Sequence, residues 1–168
     1  MLRRLGLKHE PAMKTSFEVR VLGPGDIASL RAMSSLFGTA FDDVATYTGR
    51  QPDDLYLDRL LASSSFVAVA AVADGTVIGG VAGYVLQKFE QARSELYLYD
   101  LAVDASHRRQ GVATAMIAGL QELAAERGIH ALYVQADHGD DPAIALYTKL
   151  GVREEVLHFD IAPHKPAP

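Results

Sequence analysis

The sequence predicts one α/β domain, built on a mixed twisted sheet with helices on both faces. Strand-like segments come before, between and after helix-like segments along the chain. The length of 168 residues suits one domain with a sizeable core, and 49% hydrophobic with 22% charged residues is ordinary for a globular protein. We expect a loose leader at residues 1–15, the domain at 16–162 and a tail at 163–168.

The strands are predicted from runs of β-branched and aromatic residues that have turn residues on both sides. Asp74-Gly75 joins two of these runs and is typical of a tight hairpin turn. The expected strands cover residues 16–22, 66–73, 76–86, 96–103 and 131–135, with a final strand pair over residues 152–161.

The helices are predicted from apolar residues that recur three and four positions apart. Asp26 is placed to cap the first helix, and Pro52 is suited to the start of the second. Two further helices are expected over residues 111–127 and 142–150, each stopped by a glycine. Residues 39–51 are rich in Asp, Thr and Gly and are expected to form a loop.

Charge and composition exclude several classes of function. The net charge of −5 without a basic stripe argues against nucleic acid as a partner and favours a cationic small molecule. The chain has no cysteine, which excludes disulfides and thiolate metal sites and fits a cytoplasmic protein. Its most continuous apolar run, residues 66–73, is far shorter than the about 20 residues of a membrane helix. His107 and His138 have no partner at metal-ligand spacing, so no metal site is expected.

A basic turn between an apolar strand and a helix is the most informative stretch. Arg108 and Arg109 precede Gly111, where the helix is expected to begin. Unpaired N–H groups at a helix start, with small residues at Gly111 and Ala113, suit an approaching pyrophosphate. A plain turn with solvated arginines is the alternative. The order of the elements favours the anion cradle, and the absence of G-x-G-x-x-G argues against a dinucleotide fold.

The pattern Arg108-x-x-Gly111-x-Ala113 after Leu101-Ala102-Val103 resembles the acetyl-CoA motif of the GNAT acetyltransferases. The resemblance implies the GNAT fold, with a splayed central strand pair whose free backbone groups bind the pantetheine arm of acetyl-CoA. It also implies that the helix start holds the pyrophosphate. The residues expected to bind the cosubstrate are Leu101, Ala102, Val103, Arg108, Arg109, Gln110, Gly111, Val112, Ala113, Thr114, Ala143 and Tyr147.

Residues 143–151 resemble the second GNAT motif, which places a tyrosine near the departing sulfur. Tyr147 is the matching residue. Attack of an amine on a thioester expels a thiolate, and a phenol can donate a proton or a hydrogen bond to it. An ordinary core tyrosine is the alternative. The presence of both motifs in order favours the acid role.

Asp100 is the predicted base. Without cysteine an acetyl-cysteine intermediate is excluded, so we expect direct transfer to a neutral amine in a ternary complex. Asp100 lies in an otherwise apolar strand, where a carboxylate must be paired, capped or functional. A hydrogen bond to a backbone N–H or a pair with an arginine is the alternative role, and Glu95 is the second candidate base.

Several segments resemble the aminoglycoside 3-N-acetyltransferases of GNAT type, the gentamicin-resistance enzymes. They include Asp43-Val44-Ala45-Thr46-Tyr47, Tyr99-Asp100-Leu101 and Gly139-Asp140-Asp141-Pro142, and together they span residues 36–161. The resemblance implies acetyl transfer to the 3-amino group of 2-deoxystreptamine and an acidic acceptor site. The residues expected to bind the aminoglycoside are Asp100, Asp137, Asp140, Asp141, Glu154, Glu155 and Asp160, with Asp42 and Asp43 in the early loop.

Two other functions stay open at this point. The first is a GNAT enzyme that acetylates another amine, such as a polyamine or a protein N-terminus. The second is a non-catalytic domain that binds acyl-CoA, against which the presence of Asp100 and Tyr147 argues. A homodimer is also open, because dimers are common among similar enzymes but no segment signals an interface.

Overall fold

The computed structural model describes residues 16–164. They form two compact units, residues 16–135 and residues 136–164, which are described separately. The predicted α/β class is confirmed, whereas the domain boundaries stay a prediction and the predicted leader lies outside the described residues. The elements are β1 (Glu18–Val21), α1 (Ile27–Ala40), α2 (Val44–Thr48), α3 (Asp54–Ala62), β2 (Phe66–Ala73), β3 (Thr76–Gln87), β4 (Ser94–Val103), α4 (Val112–Glu126), β5 (Ala131–Val134) and, in the second unit, α5 (Asp141–Leu150).

The sheet of the first unit has the order β1-β2-β3-β4-β5. Its first four strands are antiparallel, and β5 runs parallel to β4. The predicted hairpin between β2 and β3 is confirmed: Asp74 and Gly75 have φ angles of 48° and 75°, the two left-handed positions that a tight hairpin turn requires. All but one of the eight residues of β2 are buried, which agrees with its unbroken apolar run.

Two consecutive glycines of β3 show that helices cover both faces of the sheet. A Cβ at Gly79 would lie 3.1 Å from side-chain atoms of Met116 and Val112 in α4. A Cβ at Gly80 would lie 2.9 Å from Met33 in α1. Because neighbouring residues of a strand point to opposite faces, α1 and α4 pack on opposite sides. The missing side chains allow both helices to approach the sheet closely.

A β-bulge interrupts the pairing of β3 with β4. Ala82 pairs with Asp100 and Gly83 with Leu98, so Tyr99 is an extra residue on β4. Without the bulge, Asp100 would share a face with Leu98, two residues earlier. With it, Asp100 lies on the face of its partner Ala82, and Ala82 belongs to the core beneath α1. The bulge therefore turns a carboxylate toward α1.

Strands β4 and β5 separate before β4 ends. Their pairing runs from Glu95 with Ala131 to Leu98 with Val134. β4 continues to Val103, so among the described residues its last four positions have a ladder partner only on the β3 side, and the bulged Tyr99 has none. This agrees with the expected splayed pair. In the described part of the chain, however, β5 is the edge of the sheet rather than its centre.

The loop prediction for residues 39–51 is wrong in part. α1 continues to Ala40, and α2 forms a further helix over Val44–Thr48. The carboxylate of Asp43 accepts a hydrogen bond from the Thr46 amide at 3.2 Å and so caps α2. The aspartate that we interpreted as a loop residue is thus a helix start signal.

The predicted strand pair over residues 152–161 is also wrong, because this segment has no regular secondary structure. Three consecutive charged residues at positions 153–155 break the apolar alternation, and a short strand is not stable without a ladder partner. Its large apolar side chains are exposed: Val152, Val156, Leu157, Phe159 and Ile161. Separately, no helix within residues 16–164 is long and apolar enough to cross a membrane.

Candidate active site

Asp100 lines an open cavity of about 170 Å³ in the first unit. The walls come from α1, α2, α3 and the face of the sheet that carries Ala82 and Tyr84. Most of the lining is apolar: Leu30, Met33, Phe37, Pro52, Leu57, Leu60, Phe66 and Ala82. Of the described residues that line it, Asp100 is the only carboxylate and Arg31 the only cation.

Arg31 is held at the cavity by other acceptors. Its guanidinium donates hydrogen bonds to the Gln51 Oε1 at 2.7 Å, to the Pro52 carbonyl at 2.9 Å and to the Asp54 carboxylate at 2.7 Å. These contacts balance its charge and orient it toward the start of α3. The carboxylate of Asp100 is therefore the negative group that a cationic or amine ligand would meet in this cavity.

Tyr47 is the hydrogen-bond partner of Asp100. Its hydroxyl donates to the Asp100 Oδ1 at 2.7 Å. This answers the question that the sequence left open, because the partner is neither a backbone amide nor an arginine. Tyr47 lies in the segment that was predicted to be a loop, and no catalytic or binding role was predicted for it. The signal available was the apolar strand around Asp100, which required some partner but did not identify it.

The pKa of Asp100 reflects this environment. Burial raises the pKa of its carboxyl above the ordinary value, and the hydrogen bond from Tyr47 acts in the opposite direction. The pKa of the Tyr47 phenol is raised well above its ordinary value by burial and by the bond to Asp100. The phenol therefore stays protonated and remains a donor, while Asp100 is a stronger base than an exposed aspartate.

The turn after β4 is held mainly by its own backbone and polar side chains. A single 3₁₀ turn, Ala105–His107, is capped by Asp104, whose carboxylate accepts from the Ser106 amide at 3.0 Å. The Nε of Arg108 donates to the Val103 carbonyl at 3.1 Å, which ties the turn to the end of β4. Arg109 and Gly111 have φ angles of 62° and 87°, so the turn relies on left-handed conformations.

The start of α4 differs from those of α2, α3 and α5. Those three helices are capped by Asp43, Asp53 and Asp140, each of which accepts a hydrogen bond from a backbone amide. α4 begins at Gly111, with no hydrogen bond from a capping side chain. α1 also lacks such a bond, because the carboxylate of Asp26, the expected cap, accepts from Arg20 and from the Gly23 amide instead. A Cβ at Gly111 would meet nothing within 4 Å, so the space around it is open. The amides of the first turn are left to an external acceptor, which suits the phosphates of acetyl-CoA.

The predicted cosubstrate residues fall into three groups here. Arg109, Gly111 and Thr114 are exposed at the turn surface or helix start, where the Gln110 side chain donates to the Ser106 carbonyl at 3.0 Å. Ala102 and Val112 are buried in the core, so only their backbone could reach a ligand. Leu101 and Val103 lie on the section of β4 that has lost β5 as a neighbour. The turn thus offers backbone groups more than side chains.

The second unit contains the predicted acid, Tyr147, on α5. The side chain is half-buried, and burial followed by the charge of Asp140 raises the pKa of its phenol. Tyr147 therefore stays protonated and able to donate. The amide of Ala143 already donates to the Asp140 carboxylate at 3.1 Å, so its N–H is engaged in the cap of α5.

The predicted substrate-binding acids are distributed between the two units. Asp100 lies in the first unit, with Asp42 and the cap residue Asp43. The others are exposed residues of the second unit: Asp137, Asp140, Asp141, Glu154, Glu155 and Asp160. Within that unit Glu155 pairs with Arg153, and Asp160 with His158 at 3.2 Å. Their role in substrate binding stays a prediction.

Glu95, the second candidate base, is engaged in ion pairs. Its carboxylate lies 3.7 Å from the Lys88 Nζ and 4.0 Å from the Arg93 guanidinium, beside the β3–β4 connection. Both cations therefore engage its oxygens at this connection. Asp100 is the better placed of the two carboxylates. Among residues 16–164 no cluster of His, Asp and Glu could hold a metal ion.

Comparison with known proteins gives a family for the chain. Residues 31–152, more than half of the chain, match the family model described as the acetyltransferase (GNAT) family. A probable N-acetyltransferase, family 8 member 5, of Mus musculus is 27% identical over 76% of this chain and 56% of its own length. The ribosomal protein bS18-alanine N-acetyltransferase of Escherichia coli is 32% identical over 41% of this chain and 47% of its own. The chain spans about half the length of these curated relatives.

Solved structures give longer matches. An aminoglycoside acetyltransferase from an uncultured soil metagenomic sample is 53% identical, with a TM-score of 0.86 over 89% of this chain and 99% of that one. A second aminoglycoside acetyltransferase from such a sample, in complex with sisomicin, is 27% identical, with a TM-score of 0.80 over 88% of this chain and 97% of that one.

Proposed function

The chain belongs to the GNAT acetyltransferase family, and we propose that it transfers the acetyl group of acetyl-CoA to the 3-amino group of the 2-deoxystreptamine ring of gentamicin-type aminoglycosides. Such a transfer would confer resistance, because it removes a positive charge from the drug. The observation that supports an aminoglycoside as the acceptor is the 53% identity, over 89% of the chain, with a solved aminoglycoside acetyltransferase. The choice of the 3-amino group rests on the resemblance of the segments quoted from residues 36–161.

The geometry at Asp100 supports an amine as the acceptor. A single carboxylate in an apolar cavity attracts an ammonium group and, with its raised pKa, can accept the proton that the nitrogen loses when the neutral amine attacks. The cavity of about 170 Å³ is smaller than the about 300–1,000 Å³ typical of whole-ligand pockets. It would therefore accept one amine-bearing part of the drug rather than the whole molecule.

The proposed reaction is direct. The neutral amine nitrogen attacks the thioester carbonyl, a C–N bond forms, the C–S bond breaks, and CoA leaves as a thiolate. Asp100 accepts the proton that the amine loses, and Tyr147 donates a proton to the sulfur. Acetyl-CoA supplies the activated acetyl group. The uncapped start of α4 and the free backbone of β4 after Leu98 are the groups of this chain that would hold it.

One experiment tests the proposal. The protein is mixed with acetyl-CoA and gentamicin, released thiol is followed with time, and the acetylated nitrogen is located by NMR. We expect thiol release and acetylation at the 3-amino group. Acetylation at another ring position would overturn the regiospecificity only.

Spermidine and an alanine-terminated peptide serve as competing acceptors in the same assay. Thiol release with one of them but not with the drug would move the protein to the class that acetylates other amines. Calorimetric binding of acetyl-CoA without thiol release from any amine would instead indicate a non-catalytic acyl-CoA-binding domain.

A further inference from the structure

The connection between α1 and α3 brings a phenol to the proposed base. Tyr47 belongs to the short helix α2, fifty-three positions before Asp100 in the sequence, yet its hydroxyl lies 2.7 Å from the Asp100 Oδ1. The Oδ2 atom accepts no hydrogen bond from the described residues. One oxygen of the carboxylate is thus held by the protein, while the other has no hydrogen-bond donor among the described residues, and Asp100 lines the cavity.

Tyr47 is itself anchored on several sides. Its backbone carbonyl accepts hydrogen bonds from the Ser34 hydroxyl at 2.6 Å and from the Gln51 amide at 3.4 Å. Its ring packs against Phe37 and Phe41, with ring centroids 5.9 Å and 5.8 Å away. These contacts restrict both the backbone and the ring, so the hydroxyl has little freedom to turn away from Asp100.

Gly38 allows this helix to approach α1. A Cβ at Gly38 would lie 3.2 Å from the Tyr47 Cβ and 3.2 Å from the Val44 Cα, which is closer than ordinary van der Waals contact. The Asp43 amide donates to the Gly38 carbonyl at 2.9 Å, which fixes the entry into α2. A side chain at position 38 would push α2, and Tyr47 with it, away from the sheet.

We propose that Tyr47 is a positioning residue for Asp100: its hydroxyl holds Oδ1 so that Oδ2 faces the acceptor amine in the cavity. The proposal rests on the proposed function of Asp100 as the base. A fixed carboxylate presents its free oxygen in one orientation, and such preorganisation favours proton transfer in the transition state. The bond also favours the ionised form of the carboxylate and so opposes the effect of burial, which raises its pKa.

Other charged and titratable groups lie around the Asp100 carboxylate. Arg31 of α1 and Tyr84 of β3 line the same cavity, and the charge of Asp100 acts on the phenols of Tyr84 and Tyr97. Tyr99 of β4 packs against the rings of these two tyrosines. α3 contributes the apolar Leu57 and Leu60 to the cavity. Tyr97 offers a matched control, because its hydroxyl bonds to the Gln135 Oε1 at 3.0 Å and not to Asp100.

The test compares Tyr47→Phe, Tyr97→Phe and the unchanged protein in two measurements. The first is a pH titration of the Asp100 ¹³Cγ signal by NMR, assigned with Asp100→Asn and recorded without acceptor. Loss of a hydrogen bond to the carboxylate should raise the pKa of Asp100 by about one unit in Tyr47→Phe and leave it unchanged in Tyr97→Phe.

The second measurement is steady-state acetyl transfer to gentamicin. Tyr47→Phe should lower kcat about tenfold, leave KM nearly unchanged and shift the acidic limb of the kcat/KM profile to higher pH. Gly38→Ala, which keeps the phenol but displaces α2, should give a smaller change in the same direction. Thermal unfolding checks that the variants are folded.

The outcomes separate the two proposals. An unchanged Asp100 titration, or a shifted titration with unchanged kcat, would overturn the positioning role. If Asp100→Asn itself keeps full turnover, the assignment of Asp100 as the base fails, and the inference about Tyr47 fails with it. If Asp100→Asn abolishes turnover while Tyr47→Phe behaves like Tyr97→Phe, only the positioning role is wrong.

Discussion

Asp100 and the turn at residues 104–111 lie a few residues apart on one stretch of chain, yet they are built in different ways. Asp100 depends on side chains: an apolar cavity raises its pKa, and one phenol 2.7 Å away orients it. The turn depends on backbone: Arg109 and Gly111 are left-handed, and α4 begins without a capping side chain. We infer that the first region should respond to the loss of single atoms, and the second to changes in conformation and charge.

The largest expected effect is at Asp100. Asp100→Asn keeps the shape and removes the base, so kcat should fall by about 10²–10⁴ with little change in acetyl-CoA affinity. Glu95→Gln is the matched control, since Glu95 is paired with Lys88 and Arg93, and it should keep kcat within a factor of about two. Steady-state kinetics with calorimetry measures both. Equal losses in the two variants would remove the distinction between the carboxylates.

Tyr147→Phe tests whether a single side-chain atom in the second unit also matters for turnover. The phenol is kept protonated by burial and by Asp140, so its removal should lower kcat by about 10² if it supplies the proton to the sulfur. Affinity for CoA should stay the same. Full activity of the Phe variant, measured by thiol release, would show that solvent supplies this proton.

A substitution at Gly111 tests the region that depends on backbone conformation, the turn at residues 104–111. Gly111→Glu places a side chain at φ 87° and a negative charge at the open start of α4, so acetyl-CoA affinity should fall by about tenfold to a hundredfold. Gly128→Glu is the control, because Gly128 has φ 65° at the other end of α4 and suffers similar strain. Calorimetry should show a loss only at Gly111. A similar loss in both would mean that strain, rather than the anion cradle, explains it.

The smallest effect is expected at the exposed acids of the second unit. Asp141→Asn should raise the KM for gentamicin a few-fold at low salt and less at high salt, with kcat unchanged, because exposed charges act through screened electrostatics. Asp74→Asn, in the hairpin turn between β2 and β3, is the control for net charge. Kinetics at two salt concentrations decides whether the residue contributes to drug binding or only to surface charge.

The elements with local signals could be predicted from the sequence. The β2–β3 hairpin follows from Asp74-Gly75 between two apolar runs, and the start of α4 follows from Gly111 after a basic turn. The need of Asp100 for a partner was also predictable, because a carboxylate in an apolar strand must be satisfied. In each case the deciding residues are close together in the chain.

The features that the sequence did not reveal depend on distant or non-repeating contacts. Tyr47 reaches Asp100 across fifty-three positions, through a helix that composition alone made look like a loop. The bulge at Tyr99 is invisible to a pattern of alternation, which assumes regular pairing. At residues 152–161 the opposite occurred: the apolar residues suggested strands, but a pattern does not supply the neighbouring strand that a sheet needs.

The bulge at Tyr99 also determines where β4 could lose a residue during evolution. Deletion of Tyr99 would bring Leu98 and Asp100 next to each other, opposite the adjacent pair Gly83 and Ala82, and regular pairing would then keep each on its present face. Deletion of Tyr97 or Leu101 would also be absorbed by loss of the bulge, but the restored pairing would turn Leu98 or Asp100, respectively, to the opposite face. Tyr99 is therefore the position that β4 could lose while Leu98 and Asp100 both keep their faces.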